Sequence, residues 1–487
     1  MNARSPWLDP ADAPEAPALR QEDAIRTRAE LAAGADALAA WLGDRGIGQG
    51  DVVAAHLPNG IAFATLLHAV DRRDAILLPL HRRQTEAELV HVLADATPRL
   101  VLHAGDRSSS VVVRAARTTG TPARDFPALR AGASPATPGL GYETPALLLY
   151  TSGTTGTPKG AVLTHANLRA AVEASALHLG THTDDQWLAC LPFYHVGGLS
   201  ILLRAASQVV PCEIHADFDA ARANRALDSR GITHVSLVPT LLARLLDARG
   251  DRRAPATLRV VLIGGASAPP ALLERAAKLG WPVAPTYGLT EAAAQVATRR
   301  PDEDPEAGAT PLPGVSIRVV DERGRPVAPE TSGEIWVRGN TVTAGYWRRP
   351  EESARVLAGG WLRTGDIGAL DSQGRLRVFD RRADLVVSGG ENVYPAQVEA
   401  ALLEHPGVAD VGVAGARDET YGHRPVAWVV PRGKRPLDAE GLARFCRDRL
   451  AGYAVPVRFH CVASLPRTAS GKLQRHRLVE PSEESWN

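Results

Sequence analysis

The string YTSGTTGTPKG at residues 150–160 places glycines, hydroxyls and one lysine directly after the apolar run ALLL. Gly153, Gly156 and Gly160 permit tight backbone turns, in which successive N–H groups can converge on an anion. Thr151, Ser152, Thr154, Thr155 and Thr157 add hydroxyl donors and Lys159 adds positive charge, a set suited to the phosphates of a nucleoside triphosphate. The spacing is not Walker A, which needs four residues between its first glycine and the Gly-Lys-Ser/Thr end. A flexible Ser/Thr/Gly linker is the bland alternative. Lys159 weighs against it, because only four of the 55 basic residues are lysines: Lys159, Lys278, Lys434 and Lys472. Where arginine is the default cation, a retained lysine points to a need for a compact point charge.

Six further strings follow in order: LPFYHVGGL (191–199), VLIGGAS (261–267), YGLTE (287–291), TGD (364–366), DRRADLVVSGGENVYP (380–395) and PRTASGKLQR (466–475). Gly264, Gly265 and Ala266 end an apolar strand in small residues, where a flat base can approach the backbone; a tight turn after a core strand reads equally well. Tyr287 can stack on a base, with Gly288 and Leu289 beside it. Thr290 can hydrogen-bond a phosphate oxygen, although YGLTE alone reads better as a helix start with Thr as the cap and Glu in the first turn. Asp366 in TGD reads alone as an Asx-turn. His195 and Lys472, taken singly, read as a structural histidine and an exposed lysine.

The seven strings together, spanning nearly the whole chain in the same order, closely resemble the adenylate-forming superfamily of acyl-CoA synthetases, nonribosomal adenylation domains and luciferases. The resemblance implies an enzyme that joins a small-molecule carboxylate to ATP with Mg2+, releases pyrophosphate, and passes the acyl group from AMP to a thiol. It implies that residues 151–159 bind the β- and γ-phosphates and that Glu291 helps hold magnesium, a hard cation suited to carboxylate and phosphate oxygens. It assigns Asp366 to the ribose hydroxyls, Arg381 to the ribose or a phosphate, and His195 and Thr290 to the reacting groups. Lys472 becomes the catalytic cation that bridges the attacking carboxylate and the α-phosphate, where charge builds in the transition state. Ser388, Gly389 and Gly390 would border the thiol tunnel. Ala383 takes a hinge position often held by Asp, Lys or Ser in relatives, which puts that hinge's usual polar contacts in doubt.

CoA is the preferred thiol, because the chain ends soon after PRTASGKLQR; a freestanding enzyme that loads a carrier protein stays open. LPFYHVGGLSILLRA looks most like the branch that activates an aryl dicarboxylate, with another aryl or medium-chain acid as the alternative. Arg204 and Ser200 lie in this stretch, and the resemblance implies that they line the acyl site together with His195, Gly288 and Leu289. Arg204 is the one charged residue between His195 and Glu213, in a run that reads as buried. A buried guanidinium needs a partner. The bland partner is a nearby Asp or a helix-end carbonyl, and the sharper one is a second carboxylate of the substrate.

These side chains need a scaffold, and the elements read as mixed α/β. Apolar runs at 52–58, 75–80, 99–104, 146–152, 186–192, 234–239, 259–265 and 282–288 alternate with helix-spaced stretches such as 164–180 and 216–231. That repetition predicts parallel sheets with crossover helices. Short strands and Gly/Pro turns over about 310–380 predict a small, β-barrel-like antiparallel region. A mixed pattern returns afterwards, which predicts an N-terminal domain at 1–380 and a small mobile α+β domain at 381–487. The Pro-rich stretch 132–146 reads as a surface loop. With 55 basic and 54 acidic residues the formal charge is +1, which argues against a dedicated polyanion binder and hence against nucleic acid. The absence of an apolar leader or an 18-residue apolar run predicts a cytoplasmic chain without a membrane span. Four scattered cysteines argue against a disulfide scaffold or zinc site. A homodimer stays open.

Overall fold

The computed structural model describes residues 7–8, 13–128, 143–151, 158–381, 384–388, 391–418, 421–433, 437–467 and 473–478. Two large sheets dominate. The first runs in parallel through strands Pro145–Thr151, Ile76–Pro79, Val52–His56, Leu100–His103 and Ala123–Asp125, with Lys159–Thr164 and Gly345–Tyr346 added antiparallel at one side. The second is parallel through Val283–Tyr287, Val260–Ile263, His234–Leu237, Trp187–Ala189, Cys212–Ile214 and Pro17–Gln21.

Period-two alternation decides how the sheets stack. Val53, Ala55 and Leu77 from the first sheet and Leu262 from the second face one continuous core. That core also holds Leu38 and Leu42 of helix Arg28–Gly43, Leu66 of Ile61–Asp71 and Leu202 of Val196–Gln208. The intervening residues Val52, Ala54, Ile76 and Leu78 face outward onto helices Glu86–Ala96 and Ser109–Thr119. Val261 and Ile263 likewise meet helices Ala220–Ser229 and Pro239–Arg249 on the far side. Helices therefore fill the gap between two sheets and coat both outer faces, which is why the buried strands read as near-continuous apolar runs.

The eight apolar runs and both helix-spaced stretches all correspond to elements of the predicted type. Helix His165–Leu179 starts where expected because Thr164 accepts from the N–H of Asn167 while Asn167 accepts from the N–H of Thr164.

Strands Val315–Val320, Gly333–Gly339, Trp361–Leu370 and Leu376–Arg381 form an antiparallel sheet. From Val386 onward a separate sheet builds on the hairpin Val408–Asp418 and Gly422–Pro431. Its core, which includes Val398, Leu402, Val411 and Leu442, is its own. Among the described residues no helix is long and apolar enough to cross a membrane.

Candidate active site

A cavity of about 1860 Å³ opens where the carboxyl ends of parallel strands from both large sheets converge. Ligands of open α/β sheets bind in such crevices, because the loops there are free to vary while the strands fix their roots. Thr151, Leu237, Gly264 and Gly288 each stand at or just beyond a strand end on its wall.

At one end the phosphate-loop motif spans two adjacent antiparallel strands, with Thr151 paired to Lys159. A P-loop would instead lead from strand to helix. Ser152, Gly153, Thr154, Thr155 and Gly156 lie outside the described residues, but Thr151 and Lys159, which close the loop, both line the cavity. The Lys159 ammonium forms an ion pair with Glu352 and lies 5.7 Å from the centre of the Tyr346 ring. Its hydrogen bond and charge hold the Glu352 carboxyl below its ordinary value, against the opposing effect of burial. Tyr346 donates from its hydroxyl to Glu291 Oε1 at 2.9 Å. Arg349 joins Glu352 to Asp95, which accepts from the Tyr150 hydroxyl at 2.6 Å and so braces the residue before Thr151.

YGLTE does not start an α-helix. Leu289 is the cap of a 3-10 turn at Thr290–Ala292 and no side chain caps it, so the Thr-cap reading fails. The chain then turns back through Ala293 and Ala294, with φ of 53° and 94°. Such positive φ is costly for alanine and persists only where the surroundings impose it. A Cβ on Gly288 would sit 1.5 Å from the Ala294 carbonyl oxygen, so glycine is required there. Gly288, Leu289, Thr290 and Glu291 all line the cavity. Gly264 and Gly265 line it too, whereas Ala266 is exposed and outside it.

TGD is not an Asx-turn either. It lies inside strand Trp361–Leu370, where Ile335 alone faces residues 364–366 across a bulge. The bulge aims buried Asp366 at Tyr287, whose hydroxyl donates to Oδ2 at 2.7 Å. These two side chains meet each other behind the cavity wall, while Thr364 and Gly365 reach the lining. Arg381 pairs with Asp366 through the backbone of the neighbouring strand.

The other end of the cavity is built on helix Val196–Gln208. His195 is its cap residue, and the helix can start there because Gly198 has no Cβ; one would lie 2.2 Å from the Pro192 carbonyl oxygen. Burial lowers the His195 imidazole to about 4, with a further push from His81. It is therefore neutral near pH 7. His81, Tyr194 and His195 form a ring cluster on the wall, at centroid distances of 4.2 Å and 4.6 Å along the chain of contacts. Gly197, Ser200 and Arg204 recur at helical spacing and line the cavity on one face.

Arg204 is 3% exposed. It donates from Nη2 to Gln295 Oε1 at 2.8 Å, and its guanidinium lies 5.5 Å from the centre of the Trp187 ring. The bland expectation of an Asp or a helix-end carbonyl is thus wrong: the partner is a neutral amide, because helix Val196–Gln208 points Arg204 at the loop after YGLTE. Among the described residues no carboxylate pairs with it, and burial depresses the guanidinium to about 10. Arg204 Nε, Ser236 Oγ and His195 Nε2 are buried without hydrogen-bond partners among the described residues, and all three residues line this cavity.

From the C-terminal part, Arg467, Gln474 and Arg477 reach the same cavity. Lys472 lies outside the described residues, but a β-bridge between Arg467 and Leu473 closes its loop. Ser388 is buried in its own sheet and does not line the cavity; Gly389, Gly390, Ala383 and residues 132–142 lie outside the described residues.

Sequence reasoning missed Ser236, Gln295, Tyr346 and Glu352. Ser236 had one signal, a lone hydroxyl in an apolar strand run. The others had none, since their significance depends on partners more than 50 residues away or on a loop reversal.

A family model for AMP-binding enzymes matches residues 8–347, and the model of that enzyme's C-terminal domain matches residues 397–472. The chain belongs to the AMP-binding enzyme family. The adenylate-forming resemblance and the mixed α/β class are borne out with it. Among AMP-binding enzymes it is similar to a 2-succinylbenzoate–CoA ligase of Geobacillus kaustophilus, with 40% identity over 97% of each chain. It is also similar to the o-succinylbenzoate CoA synthetase of Bacillus subtilis in complex with the acyl-adenylate intermediate OSB-AMP. That match has a TM-score of 0.92 and 33% identity over 99% of each chain. The same enzyme with ATP and magnesium ion matches at 0.89 and 34% identity, covering 96% of this chain and 98% of that one.

Proposed function

We propose that this protein is an ATP-dependent o-succinylbenzoate–CoA ligase acting in menaquinone biosynthesis. The observation that carries the substrate is Arg204: a buried cation with no carboxylate partner among the described residues and with its buried Nε unpartnered, on a residue that lines the same cavity as the phosphate-loop ends. o-Succinylbenzoate has two carboxylates. One reacts, and the other meets Arg204 and the Ser236 hydroxyl, which offers a charge-assisted bond to an otherwise costly buried guanidinium.

In the first step an oxygen of the reacting carboxylate attacks the α-phosphorus in line, the bond to pyrophosphate breaks, and an acyl-adenylate forms. Lys472 bridges the two anionic groups as charge builds on the phosphoryl oxygens. Lys159 and the loop hydroxyls hold the β- and γ-phosphates. Glu291 is the residue for Mg2+, and one carboxylate with phosphate oxygens and water fits that ion, which rarely takes an all-protein cage. Among the described residues no three His, Cys, Asp or Glu cluster to hold a metal alone. When bound, the ion neutralises phosphate charge. Asp366, beside the lining residues Thr364 and Gly365, takes the ribose hydroxyls by exchanging them for its bond from the Tyr287 hydroxyl, and the neutral His195 hydrogen-bonds the acyl carboxylate without competing with Lys472 for charge.

The second step needs room for a thiol. The domain at 381–487 turns about the segment at Ala383, withdraws Lys472 and brings Ser388, Gly389 and Gly390 to the cavity. The CoA sulfur then attacks the acyl carbon, its proton leaves, and AMP departs. The enzyme works in the cytoplasm. A screen of carboxylic acids, read as pyrophosphate release with ATP and CoA, tests this reading. o-Succinylbenzoate should give the highest kcat/KM; a monocarboxylic aryl or medium-chain acid in first place would overturn it.

A further inference from the structure

Gln295 is 4% exposed and sits where three elements meet. Its Oε1 accepts from Ser175 Oγ at 2.7 Å and from Arg204 Nη2 at 2.8 Å, while its Nε2 donates to Thr298 Oγ1 at 3.0 Å. Thr298 continues the chain to Thr286 Oγ1 at 2.7 Å. The orientation of the amide is fixed by chemistry, because a guanidinium only donates and must meet the oxygen. The position of the backbone is fixed as well, by the reversal through Ala293 and Ala294 and by Gly288 packed beneath it.

A glutamate would fit the same network. Ser175 and Thr298 carry hydroxyls that can rotate to donate to either side-chain oxygen, so geometry does not demand an amide. Charge does. A carboxylate here would form a buried ion pair with Arg204 and cancel the field of the guanidinium inside the cavity. The neutral amide instead holds Nη2 in place and leaves the positive charge, with Nε unpartnered, for whatever enters. The Trp187 ring face provides a further neutral support on the guanidinium.

We infer that Gln295 is a specificity-determining positioning residue, which anchors Arg204 without neutralising it and so makes an anionic group on the acyl substrate a requirement. This rests on the reading of Arg204 as the partner of the second carboxylate. The test compares o-succinylbenzoate with an analogue lacking the non-reacting carboxylate, by pyrophosphate release, in wild type, Gln295→Glu, Gln295→Met and Arg204→Ala. Gln295→Glu should lower kcat/KM for the dicarboxylate by about 100-fold, mostly through KM, while the monocarboxylate changes far less. Gln295→Met, neutral but unable to anchor, should lower it by roughly tenfold and retain a preference for the dicarboxylate. Equal losses on both acids in Gln295→Glu, or an unmoved ratio, would overturn the inference. If Arg204→Ala also fails to separate the two acids, the reading of Arg204 falls; if Arg204→Ala separates them and Gln295→Glu does not, the role of Gln295 falls alone.

Discussion

The two ends of the cavity each present a cation, and they manage it in opposite ways. Lys159 at the phosphate end has a side chain 18% exposed and is paired with Glu352, itself bonded to Arg349. Arg204 at the acyl end is buried and meets only a neutral amide and an indole face. A partly hydrated lysine can exchange a carboxylate for a phosphate at small cost, since both states are ion pairs in a screened setting. A buried guanidinium left without a counter-ion is strained until an anion arrives, so its charge discriminates between substrates. On the proposed reading, the phosphate end binds a constant partner and the acyl end selects a variable one.

The largest expected effect lies outside both ends. Lys472→Ala should reduce acyl-adenylate formation by about 10²- to 10³-fold, the range for removing a group aimed at developing charge. Conversion of a supplied acyl-adenylate to thioester should stay largely intact, because in the proposed mechanism the lysine serves only the first conformation. Equal loss in both half-reactions, followed by stopped-flow or product assay, would contradict the rotation about Ala383.

At the phosphate end, Lys159→Ala should raise KM for MgATP about tenfold with little change in preference among acids, as for one partly exposed charged hydrogen bond. A change in acid preference would mean that the two ends are not independent.

How much of this was legible in the sequence follows from the range of the interactions involved. Strand Val260–Ile263 and its neighbours could be read because burial on both faces leaves a continuous apolar run. The helix at His165–Leu179 was legible through its helix-spaced apolar residues, a purely local pattern. The strand Pro17–Gln21 was not, because it joins the second sheet only by pairing with Cys212–Ile214, almost two hundred residues on. TGD looked like a turn because its glycine and aspartate favour one; the partner strand pulls it into a bulged sheet instead. Arg204 could be singled out as a charge in an apolar run, but its amide partner lies 91 residues away across a loop reversal.

The smallest effect is on stability. Burial, with nearby arginines adding to it, lowers the His68 imidazole to about 3 and that of His56 to about 4; His195 also falls to about 4. In the unfolded chain these groups take up protons below about 6.5. Between roughly pH 6.5 and 4 the unfolded state thus binds more protons than the folded one, and stability falls as pH falls through that window. The thermal midpoint should drop steadily from pH 7 to pH 5, and a flat or rising profile would show that these imidazoles are not held neutral.

The claim that the acyl end selects by an uncompensated charge is tested most directly by Arg204→Ala, measured as kcat/KM for pyrophosphate release with o-succinylbenzoate and with its single-carboxylate analogue. Breaking a buried charged pair costs about 2–4 kcal/mol, so the dicarboxylate should lose roughly 30- to 1000-fold while the analogue loses less than about threefold. An equal loss on both acids would contradict the account and leave Arg204 as a structural residue.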